Sequence, residues 1–239
     1  MTLLRILVVL FSPVVALACA GSPLPRPNSL PLINENKDVV FQVDVRGPEG
    51  NGHGTGTVIS KTGHVLTAYH VIEGGEDISL TIDDGSTPWP ICHAAKVVVG
   101  NRDYDIVVLK IDRHFDRPAR IADLKELESG LMTYSVGYPL NMGQSVWSGI
   151  VSVRLYDIPP FNPAAPPEPQ LQAITFNDMT SAPGMSGAGV FSAETGSIVA
   201  MLTGGIRTQR FSQTIVQPVS KIRYVLEKGK IPYNEPFDE

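Results

Sequence analysis

The sequence has few cysteines and few charged residues. Only Cys19 and Cys92 occur in 239 residues, which excludes a disulfide-rich scaffold and a zinc site made of cysteines alone. Charged residues make up 18% of the chain and aromatic residues 7%, so helical bundles and coiled coils are not expected. The formal net charge of -5 gives no basic surface for a phosphate backbone, and nucleic acid is therefore not expected as a partner.

Glycine and proline, in contrast, are abundant, with 22 and 20 residues, which favours a turn-rich β protein. Short runs rich in β-branched and apolar residues alternate with Gly, Asp and Asn turns and predict β-strands in two groups. The first group is 39–45, 54–60, 65–68, 78–82, 95–99 and 106–111, and the second is 133–138, 145–155, 171–176, 189–191, 197–204 and 211–216. This spacing predicts an all-β barrel or sandwich.

Two other segments of the folded part have distinct patterns. Residues 219–228 carry the one convincing helical pattern, because Ile222, Val225 and Leu226 fall on one face. Residues 157–169 hold six prolines and are predicted to be an exposed loop, since proline cannot pair within a central strand.

The N-terminal residues 1–20 have the pattern of a signal peptide. One basic residue precedes an apolar run of 15 residues, shorter than the roughly 20 needed to span a bilayer, and an A-x-A cleavage site follows. Cys19 directly after that site also resembles the acylated cysteine of a lipoprotein. We therefore expect export to the periplasm or medium, with a lipid anchor at Cys19 or an uncleaved signal as alternatives. Residues 21–37, with four prolines, are predicted to be a spacer.

Three segments contain residues suited to nucleophilic catalysis. TAYHV places His70 after a strand, DYDIVVLK begins a strand with Asp105, and SAPGMSGAGV places Ser186 in a glycine-rich turn. A serine hydroxyl attacks an acyl carbon when a base takes its proton, and a buried carboxylate fixes the tautomer of that base. Gly184 lets the backbone turn so that its own N–H and that of Ser186 point at the developing oxyanion.

The neighbouring candidates are interpreted more simply. Asp103 competes with Asp105 for the carboxylate role, because it lies two residues earlier on the same side of a strand. His53, His64 and His114 stand in polar or turn contexts and are predicted at the surface. Cys92 is predicted to be a small buried apolar residue, and the Cys92-His93 pair lacks further nearby ligands, so no metal is expected.

These segments resemble trypsin-like serine peptidases of the chymotrypsin fold, and most of all their bacterial HtrA/Deg branch. The matching stretches are GTGTVISKTGHVLTAYHVIEG, DIVVLKI and SAPGMSGAGVFSAETGSIVAMLTGG, and the likeness extends over roughly 39–226. It implies two six-stranded antiparallel β-barrels, over 38–125 and 126–230, with a closing helix in the second and a tail over 231–239. It also implies His70 as general base, Asp105 as its orienter, Ser186 as nucleophile, and the Gly184 and Ser186 amides as oxyanion hole.

The resemblance implies an exported serine endopeptidase that cleaves polypeptides through an acyl-enzyme, without metal or organic cofactor. The family pattern places Thr203, Gly204 and Gly205 along the substrate backbone. Thr180 stands where trypsin-type pockets hold an acid, so a preference for Lys or Arg is not expected. Met185 stands where digestive enzymes have the Asp that receives the new N-terminus, so activation by that ion pair is not expected. A PDZ domain, common in the HtrA branch, is not expected after the last helix. The alternatives are an inactive homologue that binds extended peptides, and an envelope-anchored adaptor protein.

Overall fold

The computed structural model describes residues 29–48, 50–82, 90–157, 173–207 and 212–234. The predicted signal peptide with Cys19, the first part of the predicted spacer, most of the proline-rich loop and most of the tail lie outside the described residues. Within these ranges no helix combines the length and apolarity needed to cross a membrane.

The first six strands are antiparallel and close into a barrel in the order β1-β2-β3-β6-β5-β4. They are β1 (Val40–Gly47), β2 (Gly50–Val58), β3 (His64–Ala68), β4 (Asp77–Ile82), β5 (Ile91–Asn101) and β6 (Ile106–Ile111). Apolar residues from different strands, such as Val43, Leu66, Leu80 and Leu109, are fully buried. Side chains therefore fill this barrel, as expected for one of its size.

The next six strands form a second closed barrel in the order β10-β11-β12-β9-β8-β7. They are β7 (Met132–Gly137), β8 (Ser145–Asp157), β9 (Ala173–Asn177), β10 (Gly189–Ser192), β11 (Ile198–Arg207) and β12 (Ser212–Pro218). The buried rings of Tyr134 and Phe191 stack in its core with centroids 5.2 Å apart. The predicted fold of two six-stranded antiparallel barrels is confirmed.

The predicted C-terminal helix is present with the predicted bounds. The chain forms three α-helices in the described ranges: α1 (Leu30–Lys37), α2 (Tyr69–Ile72) and α3 (Val219–Lys228). Ile222, Val225 and Leu226 of α3 are buried, and the helix packs on β5 and β6 of the first barrel as well as β11 and β12 of the second. Helix α3 therefore joins the two barrels.

Helix α1 corrects the predicted spacer over 21–37, since its second part is helical. The sequence LPLINENK lacks apolar periodicity, and Ser29 at the N-cap makes no side-chain capping bond. Tertiary contacts hold the helix instead: the buried Asn36 Nδ2 donates to Tyr134 Oη (2.7 Å) and to the Gly196 carbonyl (2.9 Å). Gln144 Nε2 donates to the carbonyl of Lys37, the next and last residue of the helix (2.8 Å).

Two predicted side-chain environments are wrong. Cys92, expected to be buried, is exposed, because it is the first of the alternate residues of β5 that face outward. His53, expected at the surface because of its polar or turn context, belongs to β2 and is half-buried, with its Nε2 atom buried against Gly184. The flanking glycines marked a strand that passes close to another part of the chain rather than an exposed turn.

Candidate active site

His70 lies where the first barrel changes from strand to helix. Strand β3 ends at Ala68, and the one-turn helix α2 places His70 directly after it, as the sequence predicted. The backbone N–H of Tyr69 donates to the Asp105 carbonyl (3.1 Å), which fixes the start of α2 against the start of β6. Pairing of Ala68 with Ile106 brings these two strand ends together.

Asp105 closes the tight turn between β5 and β6. Its N–H donates to the Arg102 carbonyl (3.1 Å), and the Tyr104 N–H donates to Asn101 Oδ1 (3.0 Å). Asp105 has a φ of 54°, in the left-handed region, which costs a non-glycine residue about 1 kcal/mol and recurs at functional sites. The competing Asp103 is exposed in the same turn and makes no hydrogen bond to His70 among the described residues.

The Asp105 carboxylate binds His70 at two points. Oδ1 accepts the backbone N–H of His70 (2.8 Å), and Oδ2 accepts from the ring Nδ1 (2.7 Å). A carboxylate only accepts, so the proton of the neutral ring lies on Nδ1 and the lone pair on Nε2. The hydrogen bond to Asp105 raises the pKa of His70; partial burial opposes this, while the charges of Asp105 and Glu73 add to it.

Ser186 belongs to the second barrel and lies in the turn before β10, which contacts β2 of the first barrel. Its carbonyl accepts the backbone N–H of Thr55 (2.8 Å) in β2. The contact is close because Gly54 has no side chain: a Cβ there would lie 3.0 Å from the Ser186 oxygen and 2.6 Å from Val71 Cγ2 in α2. The half-buried Ser186 has no hydrogen-bond partner for its Oγ among the described residues.

Every carbonyl group of the turn from Pro183 to Ser186 accepts a hydrogen bond. The donors are Leu140 N–H to Pro183 O (2.8 Å), Thr55 Oγ1–H to Gly184 O (2.7 Å), Ala188 N–H to Met185 O (3.0 Å) and Thr55 N–H to Ser186 O (2.8 Å). Because a trans peptide is planar, each bond fixes the direction of the N–H on the opposite side of the same plane.

The amide groups of this turn alternate between paired and unpaired. Met185 N–H donates to the Ala182 carbonyl (3.0 Å) and Gly187 N–H to the Leu202 carbonyl (2.7 Å). The N–H groups of Gly184 and Ser186 have no acceptor among the described residues. Gly184 is buried, and a buried N–H without an acceptor is rare in proteins. The two predicted oxyanion donors are therefore the two amides that the turn leaves unpaired.

Gly184 and Met185 show why the turn has this shape. Gly184 has a φ of +95°, and a Cβ there would lie 2.3 Å from the Tyr138 carbonyl oxygen and 2.6 Å from His53 Nε2. Met185 is fully buried, with its sulfur close to Gly137. An apolar side chain thus anchors the turn.

The predicted substrate-contacting residues lie on two adjacent segments. Strand β10 pairs with β11 only as far as Met201, so in the described ranges Gly204 and Gly205 pair with β12 alone, and Thr203 lies at a register shift between Leu202 and Gly204. Thr180 is exposed beside Ser181, whose Oγ lies 2.9 Å from where a Gly205 Cβ would stand. The structure thus brings the Thr180 segment and the open edge of β11 together.

Several residues at the site were missed in the sequence. Thr55, Tyr138 and Leu140 hold the turn through hydrogen bonds, and His53 packs against it. The stretch GHGTG at 52–56 carries the one visible signal, since repeated glycines in a strand indicate close backbone approach. No three metal-ligating side chains come together in the part of the chain described here, the Cys92-His93 region included.

Comparison with known proteins gives a consistent family. Residues 54–201 match the trypsin-like peptidase domain. The chain is 33% identical over 150 residues to Protease Do-like 1, chloroplastic, of Arabidopsis thaliana, covering 62% of this chain and 32% of that protein. It is 28% identical over 174 residues to a probable periplasmic serine endoprotease DegP-like of Halomonas elongata, covering 70% and 33%. The chain thus spans about a third of the length of these relatives.

Solved structures share the fold. An HtrA-type protease AlgW with tripeptide superposes with a TM-score of 0.71 at 20% identity, covering 86% of this chain and 64% of that one. A serine endoprotease from Yersinia pestis superposes with a TM-score of 0.66 at 22% identity, covering 83% and 65%. At these identities the likeness supports the arrangement of the two barrels.

Proposed function

Because this chain belongs to the trypsin-like peptidase domain family, as a serine protease domain of the HtrA/DegP type, we propose that it is an endopeptidase that cleaves polypeptides. The observation that carries the proposal is the arrangement at the cleft. A histidine held twice by a carboxylate lies on one side, and a serine turn with two unpaired amides lies on the other.

The proposed reaction proceeds through an acyl-enzyme. Ser186 Oγ attacks the carbonyl carbon while His70 Nε2 takes its proton, and the Gly184 and Ser186 amides bind the oxyanion, each donor contributing about 3 kcal/mol. The intermediate then breaks its C–N bond, and His70 gives the proton to the leaving amine. Water, deprotonated by His70, attacks the Ser186 ester and releases the acid. Asp105 stabilises the imidazolium in both halves.

The proposed substrate is an extended polypeptide that adds a strand to the open edge of β11. Thr203, Gly204 and Gly205 would contact its backbone, because in the described ranges β12 pairs with Gly204 and Gly205 on one side only. The uncharged Thr180 beside this edge supports a small or medium apolar side chain at the cut site over Lys or Arg. The HtrA-type neighbour described with a tripeptide is consistent with binding of short peptides at such a site.

Export belongs to the proposal as well. It is supported by the signal-like residues 1–20 and by relatives named as periplasmic. Fractionation of producing cells should find the processed chain outside the cytoplasm, and a full-length cytoplasmic product would contradict export. Palmitate labelling that is lost in Cys19→Ser would identify a lipid anchor.

Labelling with a fluorophosphonate probe tests the proposed chemistry. The wild-type protein should react with the probe and should cleave a mixed peptide library. Ser186→Ala should do neither, although its melting temperature should equal that of the wild type. His70→Ala should lose nearly as much activity as Ser186→Ala, and the double variant little more, since the groups act as a unit. A folded wild-type protein that binds peptides without labelling or cleavage would instead be an inactive homologue.

A further inference from the structure

Thr55 connects the first barrel to the serine turn at two points. Its Oγ1 hydroxyl donates to the Gly184 carbonyl (2.7 Å), and its backbone N–H donates to the Ser186 carbonyl (2.8 Å). We propose that the Thr55 hydroxyl is a positioning group that holds the oxyanion hole in its reactive form. The inference rests on the proposed peptidase function and assigns to it a residue of β2 that touches no reacting atom.

The surroundings of the Thr55 hydroxyl allow only one arrangement of its hydrogen bonds. The side chain is fully buried, and Oγ1 accepts the backbone N–H of Tyr138 (3.1 Å). Its single proton is therefore directed to the Gly184 carbonyl. The Thr55 carbonyl in turn accepts the hydroxyl of Thr67 (2.7 Å), so the polar groups of Thr55 are fully used.

Two bonds hold the peptide planes on either side of Gly184. The Thr55 hydroxyl holds the plane that follows Gly184, whose N–H is that of Met185, and thereby restricts the ψ angle of Gly184. The plane that precedes Gly184 is held by Leu140 N–H on the Pro183 carbonyl, and Leu140 lies two residues after Tyr138, which Thr55 also binds. Glycine allows its peptide planes to rotate at little cost, so these external bonds determine where the Gly184 N–H points.

Threonine suits this role better than serine. A β-branched side chain has a restricted χ1 angle, so the hydroxyl keeps its direction without further contacts. Thr55→Ser retains the hydroxyl with more rotational freedom. Thr55→Val retains the shape of the side chain but removes the two hydrogen bonds of the hydroxyl, to the Gly184 carbonyl and from the Tyr138 N–H. The two variants therefore separate loss of the hydroxyl from loss of packing.

Thr57 provides a matched control. It lies two residues further along β2, is equally buried, and its Oγ1 accepts the Gly189 N–H (3.2 Å) of the second barrel. Thr57→Val thus removes a buried hydroxyl that also joins the barrels but does not touch the turn from Pro183 to Ser186. A merely structural role for Thr55 predicts equal effects of the two valine substitutions.

The experiment compares the wild-type protein with Thr55→Val, Thr55→Ser and Thr57→Val. For Thr55→Val we expect kcat on a peptide substrate and the fluorophosphonate labelling rate to fall about 10- to 100-fold. This decrease is no larger than the decrease in kcat that removal of one oxyanion donor causes. The KM of Thr55→Val should stay within about threefold of wild type, because ground-state binding does not use the hydroxyl. Thr55→Ser retains the hydroxyl, and its kcat should therefore be within about fivefold of wild type. Thr57→Val should keep wild-type kcat with a similar loss of thermal stability.

The amide signals of Gly184 and Ser186 give a readout that needs no turnover. In ¹⁵N NMR spectra, Thr55→Val should shift both signals and that of Tyr138, while Thr57→Val should leave them in place. If the wild type neither labels nor cleaves but these shifts occur, the proposed function fails and the positioning role of Thr55 stands. Wild-type kcat in Thr55→Val, equal losses in both valine variants, or a Thr55→Val protein that fails to fold beside a folded Thr57→Val would overturn the inference.

Discussion

The His70–Asp105 pair depends on a turn that holds its carboxylate in one orientation. One oxygen accepts from the backbone and the other from the ring, so the carboxylate cannot turn without losing a bond to the histidine. The left-handed φ of Asp105 is stabilised by the bonds of the β5–β6 turn. The geometry of the base is therefore set by backbone structure as much as by side chains.

The substitution Asp105→Asn tests the electrostatic part of this pair. The hydrogen bond and charge of Asp105 raise the pKa of His70, so wild-type kcat/KM should rise with pH through a midpoint above 6.5 and be lost below it. In Asp105→Asn the midpoint should move down because the imidazolium loses its counter-charge, and kcat should fall about 10⁴-fold because an amide that donates to Nδ1 holds the ring in the wrong tautomer. Rates measured from pH 5 to 9 check both effects.

Asp103→Asn is the matched control for this prediction. Asp103 is exposed two residues earlier in the same turn, so its replacement by asparagine should leave both kcat and the midpoint of the pH profile unchanged. Equal effects of the two substitutions would mean that the field of the turn, rather than the Asp105 contact, sets the basicity of His70.

The candidate catalytic residues could be proposed from the sequence, whereas the residues that hold them in place could not. His70, Asp105 and Ser186 stand in three short segments whose residue types and order suggest nucleophilic catalysis. Thr55 looks like any strand threonine, because its hydroxyl partner Gly184 lies 129 positions away. His53 was missed for the same reason, as only the packing of two barrels brings it to Gly184.

At the scale of elements, the sequence predicted those strands and helices whose formation depends on their own local residue pattern. The strands alternate β-branched residues with turn residues, and α3 has a buried apolar face, so these elements could be located before the fold was known. Helix α1 could not, because the contacts that stabilise it are made by Asn36 with residues 98 and 160 positions away. Its sequence alone resembles a linker.

Removing the amide of Asn36 should loosen α1 from the second barrel. Asn36→Ala leaves the buried Tyr134 hydroxyl and the Gly196 carbonyl without their donor, which should lower the free energy of unfolding by about 1–3 kcal/mol. Urea unfolding of Asn36→Ala, Tyr134→Phe and the double variant measures the coupling. Strictly additive losses would contradict the contact, and Asn51→Ala, at an exposed position, should change little.

At the scale of the whole molecule, the site exists only where the two barrels meet. The first barrel supplies His70 and Asp105, and the second supplies the Ser186 turn. Hydrogen bonds from Tyr138 Oη (3.3 Å) and Gln144 Nε2 (3.1 Å) to the Val40 carbonyl add to the contacts across the junction. Changes in barrel docking should therefore alter activity before they unfold either barrel.

Lys221 of α3 places a buried cation at this junction. It is 5% exposed, its Nζ donates to Gln217 Oε1 (3.0 Å), and it lies 5.5 Å from the ring centroid of Tyr104 in the first barrel. Burial lowers the pKa of Lys221 from 10.5 to about 8. Between these values the unfolded chain binds more protons than the folded one, so the free energy of unfolding should rise with pH across this window.

Lys221→Met should remove this rise while keeping the volume of the side chain. Urea unfolding at pH 7, 8, 9 and 10 measures this dependence. From pH 7 to pH 10 the free energy of unfolding of the wild type should rise by on the order of 2 kcal/mol relative to the variant, because only the wild type buries a charge at the lower pH. Lys228→Met, at the exposed end of the same helix, should keep the wild-type dependence. If the wild type and Lys221→Met changed in parallel with pH, Lys221 would carry its charge in the folded protein without cost, and water would have to reach the junction between the barrels.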